Sequence, residues 1–166
     1  MNLEIERKFV IIKPSFTALT EYVGYTRSNI VQTYLASPDG VTHRVRERVY
    51  PDRTVYTETK KIRVDRMSSE EYERELTEEE YLALLKSADP ERRPVRKTRH
   101  TVPYFGRVLE IDVYHEWKKT CIMEIEMLSR DEDVIIPDDI RILLEVTGDA
   151  RYSNAAMAKT FPEELI

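Results

Sequence analysis

Glu4, Glu6 and Lys8 occupy alternate positions in the opening run MNLEIERKFV. In an extended strand, side chains two residues apart point the same way, about 6–7 Å from one another. Two carboxylates and an ammonium would therefore share one face, with Leu3, Ile5 and Arg7 on the other. The same spacing recurs along the chain. Arg44 and Arg46 flank Val45, Glu71, Glu73 and Glu75 alternate with Tyr72 and Arg74, and Lys97 and Arg99 flank Thr98. Glu110 and Asp112 flank Ile111, and Glu124 and Glu126 flank Ile125. In these last two runs the opposite face is wholly apolar: Leu109, Ile111 and Val113, then Met123, Ile125 and Met127.

An open sheet with a solvated charged face and an apolar face packed on helices is one reading of this pattern. Same-sign pairs along a strand repel, however, and cross-strand partners offset that only modestly. If the sheet closes with its charges inward, a ligand and metals can complete the balance. The basic set is then Lys8, Arg44, Arg46, Lys97 and Arg99, with Lys60 or Lys61. The acidic set is Glu4, Glu6, Glu73, Glu110, Asp112, Glu124 and Glu126. Guanidinium groups match phosphate oxygens in bidentate geometry, and so many cations suit a polyanion. A triphosphate carries about four to five negative charges near neutral pH. Carboxylates without His or Cys favour hard cations such as Mg²⁺ or Mn²⁺.

The elements that must position these groups are mostly strands. The first runs to about residues 10–12, and FTALTEYV after Pro14-Ser15 suits a short helix. NIVQTYLA (29–36) reads as a strand ended by the turn SPDG. The runs 41–50 and 54–64 form a hairpin about Pro51-Asp52, and EEYEREL (70–76) is a further strand. Thr77 and Glu80 form a capping-box pattern ahead of a helix whose apolar stripe is Tyr81, Leu82, Leu84 and Leu85. Three strands follow, at 95–102, 108–115 and 121–128, the first two joined through Tyr104-Phe105-Gly106. Short helices are predicted near DDIRILL and from Ser153. Seven or eight strands with short connections predict antiparallel pairing in a barrel or strongly curved sheet with helical decoration.

With 166 residues, one domain spanning 1–166 is expected. The net charge of −5 argues against bulk attraction to nucleic acid. Cys121 has no second cysteine to pair with, and no signal-like start or long apolar run is evident. A cytoplasmic protein without a membrane partner is the expectation. His43, His100 and His115 show no zinc-type spacing.

EIERK resembles the ExExK signature of the CYTH superfamily, the triphosphate tunnel metalloenzymes. The resemblance continues in order through RVR at 44–46, EYERE at 71–75, RKTRH at 96–100, LEIDVY at 109–114 and MEIEM at 123–127. It ends in EVTGDARYSN at 145–154 and so covers essentially the whole chain. It implies an eight-stranded antiparallel closed β-barrel, open at both ends, with a few peripheral helices and a charged tunnel. It further implies Glu4, Glu6, Glu124 and Glu126 as ligands of Mg²⁺ or Mn²⁺, and Lys8, Arg44, Arg46, Lys97 and Arg99 as a phosphate clamp. Glu71, Glu73, Glu110 and Asp112 are implied as further acidic tunnel residues. TETK resembles a Thr-x-Lys arrangement in small bacterial members, which selects Lys60 over Lys61, and Tyr34 matches a tyrosine paired with the first-strand lysine. By that resemblance Lys8, Glu6 and Tyr34 are the candidate catalytic residues.

The activity implied is metal-dependent hydrolysis of a small-molecule triphosphate, inorganic tripolyphosphate first, to pyrophosphate and phosphate. Class IV adenylate cyclase is the alternative within the family, but nothing in the sequence marks an adenine pocket. Thiamine triphosphatase ranks below it, and a non-catalytic triphosphate- or polyphosphate-binding module is the alternative outside catalysis. A homodimer is left open.

Overall fold

The computed structural model describes residues 2–166. Nine strands form its framework: β1 (Asn2–Ile12), β2 (Thr26–Leu35), β3 (Val41–Val49), β4 (Thr54–Arg63), β5 (Ser68–Leu76), β6 (Val95–Tyr104), β7 (Arg107–Tyr114), β8 (Thr120–Glu126) and β9 (Ile142–Glu145). The helices are short: α1 (Phe16–Leu19), α2 (Glu78–Leu85) and α3 (Asn154–Met157), with a 3-10 turn over Ala150–Tyr152. No helix among the described residues is long and apolar enough to cross a membrane.

Eight strands close into an antiparallel barrel in the order β1-β5-β4-β3-β2-β6-β7-β8, returning to β1. The ninth strand replaces the helix predicted near DDIRILL. Its reason lies in β1, one edge of which pairs with β8 along residues 6–12. The other edge pairs with β5 only along Asn2–Ile5, and β9 occupies the remainder opposite Phe9, Val10 and Ile11. Residues 142–145 thus satisfy backbone groups that β5 leaves unpaired, and this outweighs helix propensity.

The barrel is inside-out in polarity. Phe9, Ile11, Leu109, Ile111, Met123 and Ile125 point outward and are buried under Leu19 of α1 and Ile140. On the opposite outer wall Val45, Leu35 and Leu76 are covered by Tyr81 of α2. That helix starts with the predicted capping box, in which the Thr77 hydroxyl accepts from the Glu80 N–H and the Glu80 carboxylate accepts from the Thr77 N–H. A third apolar cluster sits at one rim, where Val10, Tyr114 and Ile122 pack beneath Trp117, Tyr152 and Met157. Trp117 is buried in this plug and donates its indole N–H to the Pro162 carbonyl at 2.9 Å. The implied opening at both ends is therefore narrowed on one side of this rim.

Register is set locally at the β6–β7 hairpin. Phe105 and Gly106 both take positive φ, 47° and 73°, as a two-residue type I′ connection requires. That turn places Arg99 opposite Asp112 and Lys97 opposite Tyr114.

Candidate active site

A cavity of about 710 Å³ runs through the barrel, and its walls carry most of the alternating charges. From β1 come Glu4, Glu6 and Lys8; from β3, Arg44 and Arg46; from β6, Lys97 and Arg99. Glu71 and Glu73 of β5, Glu110 of β7 and Glu124 of β8 complete the opposing wall. Each strand contributes one parity of residues, because the apolar parity is committed to the outer cores.

The best-buried part of the site is a triad of charges. Asp112 accepts from Arg99 Nε at 2.7 Å and from Arg99 Nη2 at 2.9 Å, and lies 2.7 Å from Lys97 Nζ. The side chains of Lys97 and Asp112 are wholly inaccessible to solvent. Arg99 Nη1 also donates to Glu110 at 2.6 Å. Burial alone would raise the Asp112 pKa, but Arg99 and Lys97 outweigh it and hold the carboxyl far below the usual range. Lys97 is pushed down, first by burial and then by the nearby Arg99 and Arg46.

Next to this triad, Lys8 Nζ lies 3.3 Å from Glu124 and donates to the Tyr152 carbonyl at 3.2 Å. Lys61 Nζ bridges Glu4 at 3.1 Å and Glu71 at 3.8 Å. Arg46 gives Nε and Nη2 to Gln32 Oε1 at 3.0 and 2.5 Å, so a neutral amide is its hydrogen-bonding partner. Burial, Arg44 and Arg99 all disfavour the Arg46 charge. Glu6 is pushed up to about 7 by burial and by Glu124. Glu4 is likewise raised, chiefly by burial and by its contact with Glu71. The bore thus sets Arg46, held by a neutral amide, on one wall and carboxylates under mutual repulsion on the other.

No family model matches the chain, and no curated protein does. Solved structures do match. The inorganic triphosphatase NE1496 is 30% identical, with 98% of this chain and 99% of that one covered at a TM-score of 0.60. The chain belongs to the CYTH superfamily. PH1819 from Pyrococcus horikoshii OT3 is 21% identical, covering 78% of this chain and 80% of that one, with a TM-score of 0.59. A putative adenylate cyclase from Bacillus halodurans is 15% identical, covering 79% and 84% at a TM-score of 0.51. These last two likenesses concern the fold.

Against the CYTH expectations for individual residues, the structure makes four amendments. Lys61, not Lys60, lines the bore: Val49 pairs with Thr54, so Arg44 and Arg46 stand opposite Thr59 and Thr57, and odd-numbered β4 residues face inward. Lys60 is exposed on the outer face opposite Tyr72. Tyr34 lines the bore but does not pair with Lys8; its hydroxyl accepts from Gln32 Nε2 at 3.3 Å. Its strand, β2, is flanked by β3 and β6, far around the barrel from β1. Asp112 lies behind Arg99 and Lys97 as their buried counter-ion rather than on the cavity wall. Glu126, opposite Glu6 in register, is exposed outside the cavity lining.

Sequence reasoning missed Gln32, Asn154 and the Tyr152 carbonyl. Asn154 Oδ1 accepts from Tyr114 Oη at 2.8 Å and from Lys97 Nζ at 3.5 Å. Gln32 on β2 carries no charge to mark its parity, and the 3-10 turn and short helix that hold Tyr152 and Asn154 have no strand alternation to read. Arg151, in the same tail, is paired with Asp149 at 2.7 Å and lies outside the cavity lining.

A divalent ion suits this donor set in kind. Glu4, Glu6 and Glu124 offer only carboxylate oxygens, and Glu4 Oε2 has the Lys61 ammonium at 3.1 Å, a cation where an ion would sit. No three His, Cys, Asp or Glu side chains among the described residues already converge as a metal site. Ion binding would draw these carboxylates together and relieve their repulsion.

Proposed function

We propose that the protein hydrolyses the terminal phosphoanhydride bond of a triphosphate, inorganic tripolyphosphate foremost, with a divalent cation. The observation that carries this reading is the convergence of Lys8, Arg44, Arg46, Lys97 and Arg99 in one bore with Glu4, Glu6 and Glu124. Inorganic triphosphatase NE1496, similar over nearly its full length, supports the same class of reaction.

In the reaction, the oxygen of a water attacks the terminal phosphorus in line, the bridging P–O bond breaks, and pyrophosphate leaves with the bond electrons. Arg44, Arg46 and Lys8 hold the phosphate oxygens and stabilise charge as it moves toward the leaving group. Arg99 and Lys97, fixed by Asp112, present their remaining positive field without having to reorganise. Glu6 stands on the acidic wall as an acceptor for the proton that water loses. Glu4, Glu6 and Glu124 would hold Mg²⁺ or Mn²⁺, which would supply phosphate neutralisation and a more acidic water.

The decisive assay measures phosphate released from tripolyphosphate, ATP and thiamine triphosphate with Mg²⁺ and with Mn²⁺. Tripolyphosphate is expected to give the highest kcat/KM and to require the metal. Cyclic AMP as the sole product from ATP would replace hydrolysis by cyclisation, and tight tripolyphosphate binding without turnover of any substrate would make the protein a sensor.

The two neighbouring lysines of β4 provide an internal control. Lys61→Ala removes a cation from the bore and the counter-charge of Glu4, and kcat/KM should fall about 10- to 100-fold, as expected for a charged hydrogen bond. Lys60→Ala, on the outer face, should leave kcat/KM within about twofold. The reverse ranking would invert the inward face of β4.

A further inference from the structure

Most cations in the bore already have charged partners: Arg99 has Asp112 and Glu110, and Lys61 has Glu4. Arg92 differs. It lies between α2 and β6, outside every alternating motif, yet lines the same cavity at the rim formed by the 37–42 loop. Its Nε is buried with no hydrogen-bond partner among the described residues, and its guanidinium carbon lies 5.9 Å from the centre of the Tyr34 ring.

The segment carrying Arg92 is held firmly. The Asp89 N–H donates to the Tyr34 carbonyl at 2.9 Å, and the Arg93 N–H donates to the Ala158 carbonyl at 2.8 Å. The Asp89 carboxylate accepts from Arg92 Nη1 at 3.2 Å and from the Glu91 N–H at 2.9 Å. One edge of the guanidinium is therefore fixed while its Nε remains unused. Arg44, opposite Tyr34 in register, also has a buried Nε without a partner. The other arginines at this rim are engaged: Arg66 Nε donates to the Thr147 carbonyl at 2.8 Å, and Arg63 Nη1 to the Arg66 carbonyl at 3.2 Å. Two unspent, desolvated guanidinium donors on either side of one tyrosine match a tetrahedral oxyanion.

We propose that Arg92 joins Arg44 around Tyr34 as a subsite for the outermost phosphoryl group of the chain, making Arg92 a residue that selects tripolyphosphate over pyrophosphate. This rests on the triphosphate reading of the bore. On this assignment a three-phosphate chain has a terminal group to place beside Arg92, and a two-phosphate chain seated in the central clamp has none.

The test compares the parent, Arg92→Ala and Arg92→Lys by calorimetric titration with tripolyphosphate and with pyrophosphate, alongside Tm. Arg92→Ala should weaken tripolyphosphate roughly tenfold, leave pyrophosphate within about twofold, and hold Tm, because the anchoring bonds are mostly backbone. Arg92→Lys should recover only part of the loss, since an ammonium lacks the planar fork. Equal weakening of both anions, no weakening of either, or full recovery by lysine would overturn the assignment. Turnover of the parent is scored separately: a parent that binds tripolyphosphate without hydrolysing it removes the hydrolase reading and leaves the subsite standing or falling on these affinities. A parent that fails to bind tripolyphosphate ends both.

Discussion

Glu6→Gln is expected to lower tripolyphosphate turnover about a thousandfold or more and, at the same time, to stabilise the metal-free protein above pH 7. The first effect follows from removing a carboxylate that serves the acidic wall of the site, where single electrostatic contributors are worth about 10²–10³ and metal-binding acids more. The second follows from the state of the side chain, pushed up to about 7 by burial and by Glu124. An acid whose folded-state pKa exceeds its unfolded one binds more protons when folded. Stability from this group is thus present below the unfolded value of 4.5 and is lost as pH rises through 7. Glutamine carries no such penalty. The gain should be about 1–3 kcal/mol at pH 8, or several degrees in Tm for a chain of this size, and should vanish near pH 4. Thermal melts in EDTA across pH 4–8, with parallel phosphate-release assays, measure both. Turnover within tenfold of the parent would remove Glu6 from the site, and identical melts at pH 8 would show that its carboxyl is under no strain.

Asp112→Ala should be the most destabilising single change in the bore. Asp112 is the shared partner of Arg99 and Lys97, all three deeply buried. Removing it leaves two cations at close quarters in a poorly solvated site, a class of change that costs about 3–5 kcal/mol. At about 2–4 °C per kcal/mol for a chain of this length, Tm should drop by about 10 °C or more. Tripolyphosphate should then raise the Tm of the variant more than that of the parent, because the substrate brings the missing negative charge. Differential scanning calorimetry with and without tripolyphosphate reads this directly. A variant as stable as the parent would show that Asp112 is not the counter-ion on which the triad depends.

Much of this site was legible because a strand writes its two faces in alternate letters. RVR, LEID and MEIE each pair a charged parity with an apolar one, EIERK does so but for Arg7, and the structure turns the charged parity inward except at Glu126. Elements that broke this rule were harder to read. DDIRILL has one opposite-sign pair at a spacing of two, Asp139 and Arg141, and then an unbroken apolar run; its end becomes a strand only because β5 vacates part of the β1 edge, a fact of topology that no local pattern encodes. Lys60 and Lys61 sit side by side, so composition could not choose between them. The choice was nonetheless available from hairpin arithmetic, since pairing Val49 with Thr54 puts Thr59 opposite Arg44 and so turns Lys61 inward. Asp112 carries the correct parity but recedes beneath two longer cations that reach over it. Arg92 sits in a loop, where periodicity has nothing to say.

The divided edge of β1 bears on how the molecule comes to life. Residues 2–12 are made before the segments that complete them, 68–76, 120–126 and 142–145. The ring cannot shut until residues 120–126 have been made, and such distant pairings form slowly. Until then the acids of the leading segment lie apart from the cations they will oppose. A ribosome-bound fragment is accordingly inert toward the anions the finished barrel is shaped to hold.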